Sequence, residues 1–347
     1  MTVTLRHVAD RAGVSIKTVS RVINGQGEIS EATRARVRRI IQELDYRPNS
    51  LARGLVSGRS DAIALIIPQI TDPFFPDVLL GAEAVAREHG YSVFLCNTND
   101  NPEQELAYVD MMAGKRVDGV IICGTRLNAA QLEQVARHHR VSIISSRNPA
   151  SAAGISLPAA AGVCEAASHL IRLGHRRIGH LGLGPDENVR EQGYRRAMAE
   201  HDLPVESAWV KHVSSLSVET AFQAALELLE IAPELTALSC SNDLAAVGTL
   251  RACAALGRRV PDDLAVVGFD DIELASLVTP ALTTVHVPRY EVGKMAMEQL
   301  LRVIAADGKL SEHIEVKVHM VVRDSCGARR GAAASDRDLH EPTGEPA

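Results

Sequence analysis

Long apolar runs are missing from this chain. Nothing approaches the roughly 18 uninterrupted apolar residues that cross a bilayer, so no membrane-spanning helix and no membrane partner are expected. The opening residues, MTVTLRHVAD, lack the charged-then-apolar order of an export signal. Six cysteines, at 96, 123, 164, 240, 253 and 326, form neither CxxC nor a Cys/His metal spacing. They read as reduced, buried thiols of a cytosolic protein; neither a metal nor a cofactor is expected. Catalytic signatures are absent as well: there is no GxSxG, no GxxxxGK(S/T) and no HExxH. Gly182-Leu183-Gly184 fails as a dinucleotide fingerprint because position 187 is Glu, and His138-His139 has no third ligand at metal spacing. The expectation is a protein that is not an enzyme.

What is present is an uneven distribution of charge. Across 347 residues the formal net charge is -6, yet residues 1–60 hold eleven Lys/Arg against five Asp/Glu, a net +6, leaving -12 for the remainder. A basic head on an acidic body points to a polyanion partner for the head alone. Hydrophobic residues make up 46%, enough for a small domain and one large or divided domain.

The first 45 residues read as three short helices. Leu5, Val8, Ala9 and Ala12 share one helical face, and Gly13 suits the positive φ of a tight turn. Ser15 is a good N-cap for a second helix to about residue 24, with Val19, Val22 and Ile23 inward. Ser30 can cap a third, whose apolar stripe is Val37, Ile40, Ile41 and Leu44. From residue 62 the texture changes. Short apolar runs at 63–67, 91–95, 119–123, 141–145, 178–183, 237–240 and 264–269 predict strands. Between them, helical patterns occupy 76–89, 103–113, 129–138, 162–173, 189–201, 218–229 and 244–256. A last helix over 290–306 and a closing strand near 316–323 follow. Continuous apolar strands between helices mean parallel strands covered on both faces, here in two doubly wound halves broken near 155–160.

The segment LRHVADRAGVSIKTVSRVIN carries the chemistry of the head. A helix-turn-helix needs a small residue where its helices touch (Ala9), a turn glycine (Gly13) and apolar residues locking the second helix (Val14, Val19, Val22). The solvent side of that helix presents Ile16, Lys17, Thr18, Ser20 and Arg21, and its N-terminal half suits the major groove. Lys17 and Arg21 can donate to guanine O6 and N7, and Ile16 can meet a thymine methyl. Ser15, Thr18, Ser20 and Asn24 suit phosphate oxygens.

These residues, followed by TRARVRRIIQELDYRPNSLAR, resemble the head of the lactose/galactose-repressor (LacI/GalR) family of bacterial regulators. The resemblance continues through TDPFF at 71–75, HLIRLGHRRIGHLG at 169–182, REQGYRRAM at 190–198, VPDDLAVVGFDD at 260–271 and TPALTTVHVPR at 279–289. It implies an α/β fold: a three-helix head plus two doubly wound parallel-sheet subdomains with a periplasmic-binding-protein-like core. The implied division is a head at 1–47, a hinge helix and linker at 48–60 and a core at 61–326; residues 327–347 lack large apolar periodicity and are expected to be a disordered tail. Within the core, the first subdomain takes about 61–158 and 288–316, the second about 159–287 and 317–326. In the hinge, the resemblance makes Leu55 the residue that wedges into the minor groove, with Leu51 one turn earlier and Arg53 on phosphate. It places an effector between the core halves, against Phe74, Phe75, Arg190 and Asp270, with Asp72, Asn97, Arg126, Arg147, Asn242 and Asp243 as further candidates at strand ends, Arg147 and Asp243 foremost among them.

Departures from the family pattern bear on the effector. Ser146 stands where many sugar-responsive members have Asp, Pro158 and Ala159 replace an Asp-Asn pair, and Ser239 replaces a stacking aromatic. Aromatics are only 3% of the chain. Arg126, Arg147 and Arg190 would suit an anionic effector such as a sugar acid or sugar phosphate. The expected protein is a cytoplasmic, nucleoid-associated homodimer that binds a pseudo-palindromic double-stranded DNA operator under control of a carbohydrate-derived small molecule. Whether that molecule releases or tightens DNA, and whether the protein represses or activates, stays open at this point.

Overall fold

The computed structural model describes residues 3–23, 25–46, 59–146, 152–184 and 189–328. The chain forms two compact units, Met1–Asp61 and Ala62–Ala347. In the first, α1 (Leu5–Ala12), α2 (Ile16–Ile23) and α3 (Glu31–Glu43) surround their own small core. Val8, Ala9, Ala12, Val19, Val22, Val37 and Ile40 are buried together with Tyr46. The expected local devices are in place. Gly13 ends α1 at φ 61°, and Ser30 caps α3 by accepting from the Thr33 amide, satisfying one of the amides a helix start leaves over.

The second unit holds two parallel sheets. Its first half runs β1 (Ala62–Ile67), α4 (Phe74–Glu88), β2 (Ser92–Asn97), α5 (Pro102–Gly114), β3 (Gly119–Cys123), α6 (Ala129–His138), β4 (Val141–Ser145) and β5 (Ala153–Ser156). Its second half runs α7 (Ala159–Arg172), β6 (Ile178–Leu183), α8 (Val189–Glu200), β7 (Val210–Val213), α9 (Val218–Ile231), β8 (Ala237–Cys240), α10 (Asp243–Ala255), β9 (Ala265–Val267) and α11 (Glu273–Leu277). Four elements close the fold: β10 (Thr284–His286), α12 (Arg289–Ala305), β11 (His313–Glu315) and β12 (His319–Val321). The six-stranded sheet has the order β11-β5-β4-β3-β1-β2, and the four-stranded sheet β7-β6-β8-β9. All pairings within these two sheets are parallel. Every residue of β1, AIALII, is buried, as a strand covered on both faces requires.

The chain therefore passes between the halves more than once. After β10 it returns to the first half as α12, which packs on α4, β3, β4 and β5. After β11 it leaves again to pair β12 antiparallel with β10. The contact between α4 and α12 is made by reciprocal glycines. A Cβ on Gly81 would lie 1.9 Å from the Tyr290 carbonyl oxygen, and one on Gly293 would lie 2.0 Å from that of Val78. Only glycine allows the two backbones to approach this closely.

The strand reading needs three corrections. β5 (AGIS), β7 (VKHV) and β10 (TVH) were not expected; all are short, and a run of three or four residues carries little periodicity. The expected closing strand near 316–323 is the shorter β12 at His319–Val321, and an unexpected β11 at His313–Glu315 precedes it in a different sheet. The second strand lies at Ser92–Asn97 rather than 91–95.

Candidate nucleic-acid interface and ligand cleft

The geometry of the head follows from its turn. The Val14 amide donates to the Ala9 carbonyl at 3.1 Å, and Ser15 Oγ accepts from the Thr18 amide at 3.1 Å while pairing with Thr18 Oγ1 at 2.9 Å. With Val19 and Val22 buried, the helical period leaves Ile16, Lys17 and Arg21 exposed and Thr18 and Ser20 half-buried. Ile16 is 49% exposed, an apolar side chain set among cations on an outward face. The N-terminus of α2 has no acid in its first turn, so its dipole and Lys17 both favour an anion there. Gly27, at φ 76°, leaves room for the Arg21 side chain, whose Cδ would lie 3.3 Å from a Cβ. Asn24, Leu51, Arg53 and Leu55 lie outside the described residues.

In the core unit a cleft of about 450 Å³ opens where the carboxyl ends of both sheets converge. Residues just after β1 (Pro68, Gln69), β3 (Gly124, Arg126) and β4 (Ser146) face those after β6 (Arg190), β7 (Ser215, Ser217), β8 (Asn242) and β9 (Asp270). Strand ends at such a switch of connectivity are where loops are free to diverge and hold a ligand. Phe74 and Phe75, in the first turn of α4, form the apolar wall, their rings edge-on at 5.3 Å. Asp72 starts that helix by accepting from the Phe74 amide at 2.9 Å.

The charges in the cleft are matched. Arg190 Nη2 donates to Asp270 Oδ1 at 3.3 Å, and its guanidinium lies 4.5 Å from the centre of the Phe269 ring. Arg126 donates to Asp100 Oδ1 at 2.7 and 2.9 Å. Below it, buried Glu105 accepts from Thr125 Oγ1 and the Arg126 amide at 2.5 and 3.1 Å. Burial pushes the Asp270 carboxyl well above the usual carboxylate range, with Arg190 opposing. Burial also raises Asp72, and Arg190 acts on it from across the cleft in the opposite sense. Two carboxyls that charge reluctantly therefore flank one guanidinium.

Phe74, Phe75, Arg190 and Asp270 are brought together; Arg147 lies outside the described residues. Asp243 is a correction. It is fully buried behind the cleft, accepting from Thr284 Oγ1 at 2.5 Å and the Ile272 amide at 2.8 Å. With both oxygens bonded, it ties α10 to the loop after β9 and does not line the cleft. Ser239 is likewise buried inside β8. Among the described residues no group of three or more His, Cys, Asp or Glu could hold a metal ion, and no helix is long and apolar enough to cross a membrane.

Comparison with known proteins agrees with this geometry. Residues 4–49 match the family described as bacterial regulatory proteins, lacI family, and residues 60–323 match periplasmic binding proteins and the sugar binding domain of the LacI family. The chain belongs to the LacI family. It is 33% identical over 335 residues to the ribose operon repressor of Halalkalibacterium halodurans, covering 93% of this chain and 96% of that one. It is 34% identical over 329 residues to the HTH-type transcriptional repressor PurR of Vibrio vulnificus, covering 93% and 98%. Among solved structures, the lac repressor dimer bound to operator and the anti-inducer ONPF superposes with a TM-score of 0.84 at 26% identity, covering 94% of this chain and 99% of that one.

As a LacI-family DNA-binding regulator, the chain uses a helix-turn-helix head and a sugar-binding type of core. Sequence reasoning missed Asp100 as the partner of Arg126, and the hydroxyls of Ser215 and Ser217 on the opposite rim. It also gave Arg289 no role, although that residue bonds to both sides of the cleft. The signal was its place at the end of TPALTTVHVPR, as the first residue of the helix that re-enters the first half.

Proposed function

We propose that the protein is a homodimeric transcriptional repressor whose α2 reads one half-site of a pseudo-palindromic operator, and whose cleft takes a carbohydrate-derived effector. The carrying observation is the pairing, in one chain, of an exposed Ile16-Lys17-Arg21 helix face with a cleft built around Arg190 and Asp270. The repressor sense follows the relatives, which are named as repressors. A homodimer would place two such helices about one DNA turn apart. The exposed edge strand β2, with Phe94 and Leu95 each at least 40% exposed, offers apolar surface for self-association.

The paired charges refine the effector. Arg126 and Arg190 already hold carboxylates, which weakens the case for an anion and favours a neutral polyhydroxyl compound. Such a molecule can exchange hydrogen bonds with an Arg–Asp pair, Ser146, Ser215 and Asn242. The effector would shift the equilibrium between two arrangements of the core halves, and the hinge residues Leu51, Arg53 and Leu55 would convert that shift into operator affinity. By linkage, operator and effector must alter each other's binding equally. The place of action is the bacterial cytoplasm, on the nucleoid.

The test is fluorescence anisotropy of the purified full chain on genomic fragments. Titrations with neutral sugars, sugar acids and sugar phosphates follow on the fragments retained. Salt-sensitive binding to particular fragments, altered by one sugar class, is the expected result. Equal affinity for all fragments, or none at low ionic strength, would overturn the regulatory reading.

A further inference from the structure

Asp270 reaches the cleft from an unusual turn. It has φ 105° and is followed by Asp271 at φ 54°. The first is a conformation that a side-chain-bearing residue adopts only when its surroundings enforce it; the second is the left-handed region that Asp tolerates. The Asp271 carboxylate is held by Arg323 Nη2 at 2.6 Å and His286 Nδ1 at 2.9 Å. The carbonyls of both residues accept from one atom, Arg289 Nη1, at 2.8 Å in the case of Asp271. The same guanidinium donates through Nε to Asp77 Oδ2 at 2.9 Å. Asp77 belongs to the first turn of α4, the turn that carries Phe74 and Phe75.

The mounting of this arm is rigid. Arg289 opens α12, and the close approach of Gly81 to the Tyr290 carbonyl and of Gly293 to that of Val78 leaves no space between the first two turns of α12 and of α4. The arginine backbone thus moves with the first half, while its tip grips a turn of the second. Asp77 fixes the direction of the arm. An ammonium would substitute only in part, because it lacks the planar fork that serves a carboxylate and two carbonyls from one group.

We propose that Arg289 is a positioning residue that holds the two walls of the cleft in register, tying the Asp270 turn to the helix that carries Phe74 and Phe75. The assignment rests on the reading of this cleft as the effector site, and it locates the joint whose opening or tightening an effector would bias. Arg289 need not touch the effector; it acts through Asp270.

Hydrogen–deuterium exchange on the full chain without any added ligand tests this. Asp77 sits on the half-exposed rim of α4, and Asp77→Asn removes the charge that aims the arm without touching the 270–271 turn. Faster exchange across 268–274 in Asp77→Asn is the expected result, with a larger increase in Arg289→Met and an intermediate one in Arg289→Lys. Asp77→Asn added to Arg289→Met should cause no further change. Should Arg289→Met alone quicken that segment while Asp77→Asn leaves it as in the parent, Arg289 is only a local fastener of the turn. Parental exchange in both variants would remove the tie altogether. Unchanged urea midpoints for Asp77→Asn exclude general unfolding as the cause. Because no ligand is used, the result stands apart from the anisotropy titrations that test the cleft itself.

Discussion

The two units recognise their ligands in opposite ways. The head presents its chemistry outward: three short helices bury one small cluster, and the cations of α2 stand in water. The core turns its chemistry inward, into a cleft where every described arginine is matched by a carboxylate and where burial raises Asp72 and Asp270. The difference follows from the partners. A duplex is a large polyanion that meets a convex, unpaired cationic surface. A small polar molecule must be surrounded, and its hydrogen bonds replace those of buried groups that have to be satisfied in its absence.

The contrast can be broken most forcefully at the closest packing in the core. Gly293→Val should destabilise the core unit by about 3 kcal/mol or more, since its side chain meets backbone rather than a movable group. The head, with its separate core, should keep its helices; urea unfolding followed by exchange in 5–43 checks this, and simultaneous loss of both would contradict their independence. Asp270→Ala should weaken effector binding by about 10–100-fold, the scale of a hydrogen bond to a charged group. Operator affinity without effector should stay near the parent, and a normal effector response would place the pocket elsewhere. Lys17→Ala should cost about 1–3 kcal/mol of operator discrimination at one base pair with no change in melting temperature, because Lys17 is exposed.

Acid separates the units more gently. Burial lowers His180 from 6.5 to about 4, so the unfolded chain takes up that proton first and stability is lost as pH falls from 6.5 towards 4. Asp243 is pushed from 3.8 up to about 7, chiefly by burial; the folded state takes up that proton first, so stability is gained as pH falls over the same range. The two slopes oppose each other in the parent. His180→Gln should leave the carboxyl slope uncovered, and its urea midpoint should rise between pH 7 and 5 relative to the parent; an unchanged difference would deny the buried histidine its part. The smallest effect is expected at a helix start: Ser30→Ala should cost the head about 1 kcal/mol and leave the cleft untouched.

Legibility divides along the same line. In the head, burial at 8, 9, 12, 19 and 22 follows a single helical period, so the outward positions 16, 17 and 21 could be read by subtraction. In the core, β1, β3 and β8 were visible as apolar runs, whereas β5 and β7 were not, being four residues each with little pattern. Among site residues, Phe74, Arg190 and Asp270 were reached through motif resemblance. Asp243 was a candidate from its place at a strand end and proved to be a buried tie, because adjacent residues at a strand end point in different directions: Asn242 lines the cleft and Asp243 does not.

By itself, the order of residues determined the alternation of strands and helices, the basic sign of the head and the turn at Gly13, all of which depend on local period, charge and backbone preference. Only the tertiary structure decided which carboxylate neutralises which arginine, that the last strands divide between two sheets, and that Arg289 bonds to residues 212 positions apart from itself on one side and 18 and 19 on the other. Those outcomes depend on where separate loops meet when two sheets align their carboxyl ends. No local property of the chain encodes that meeting.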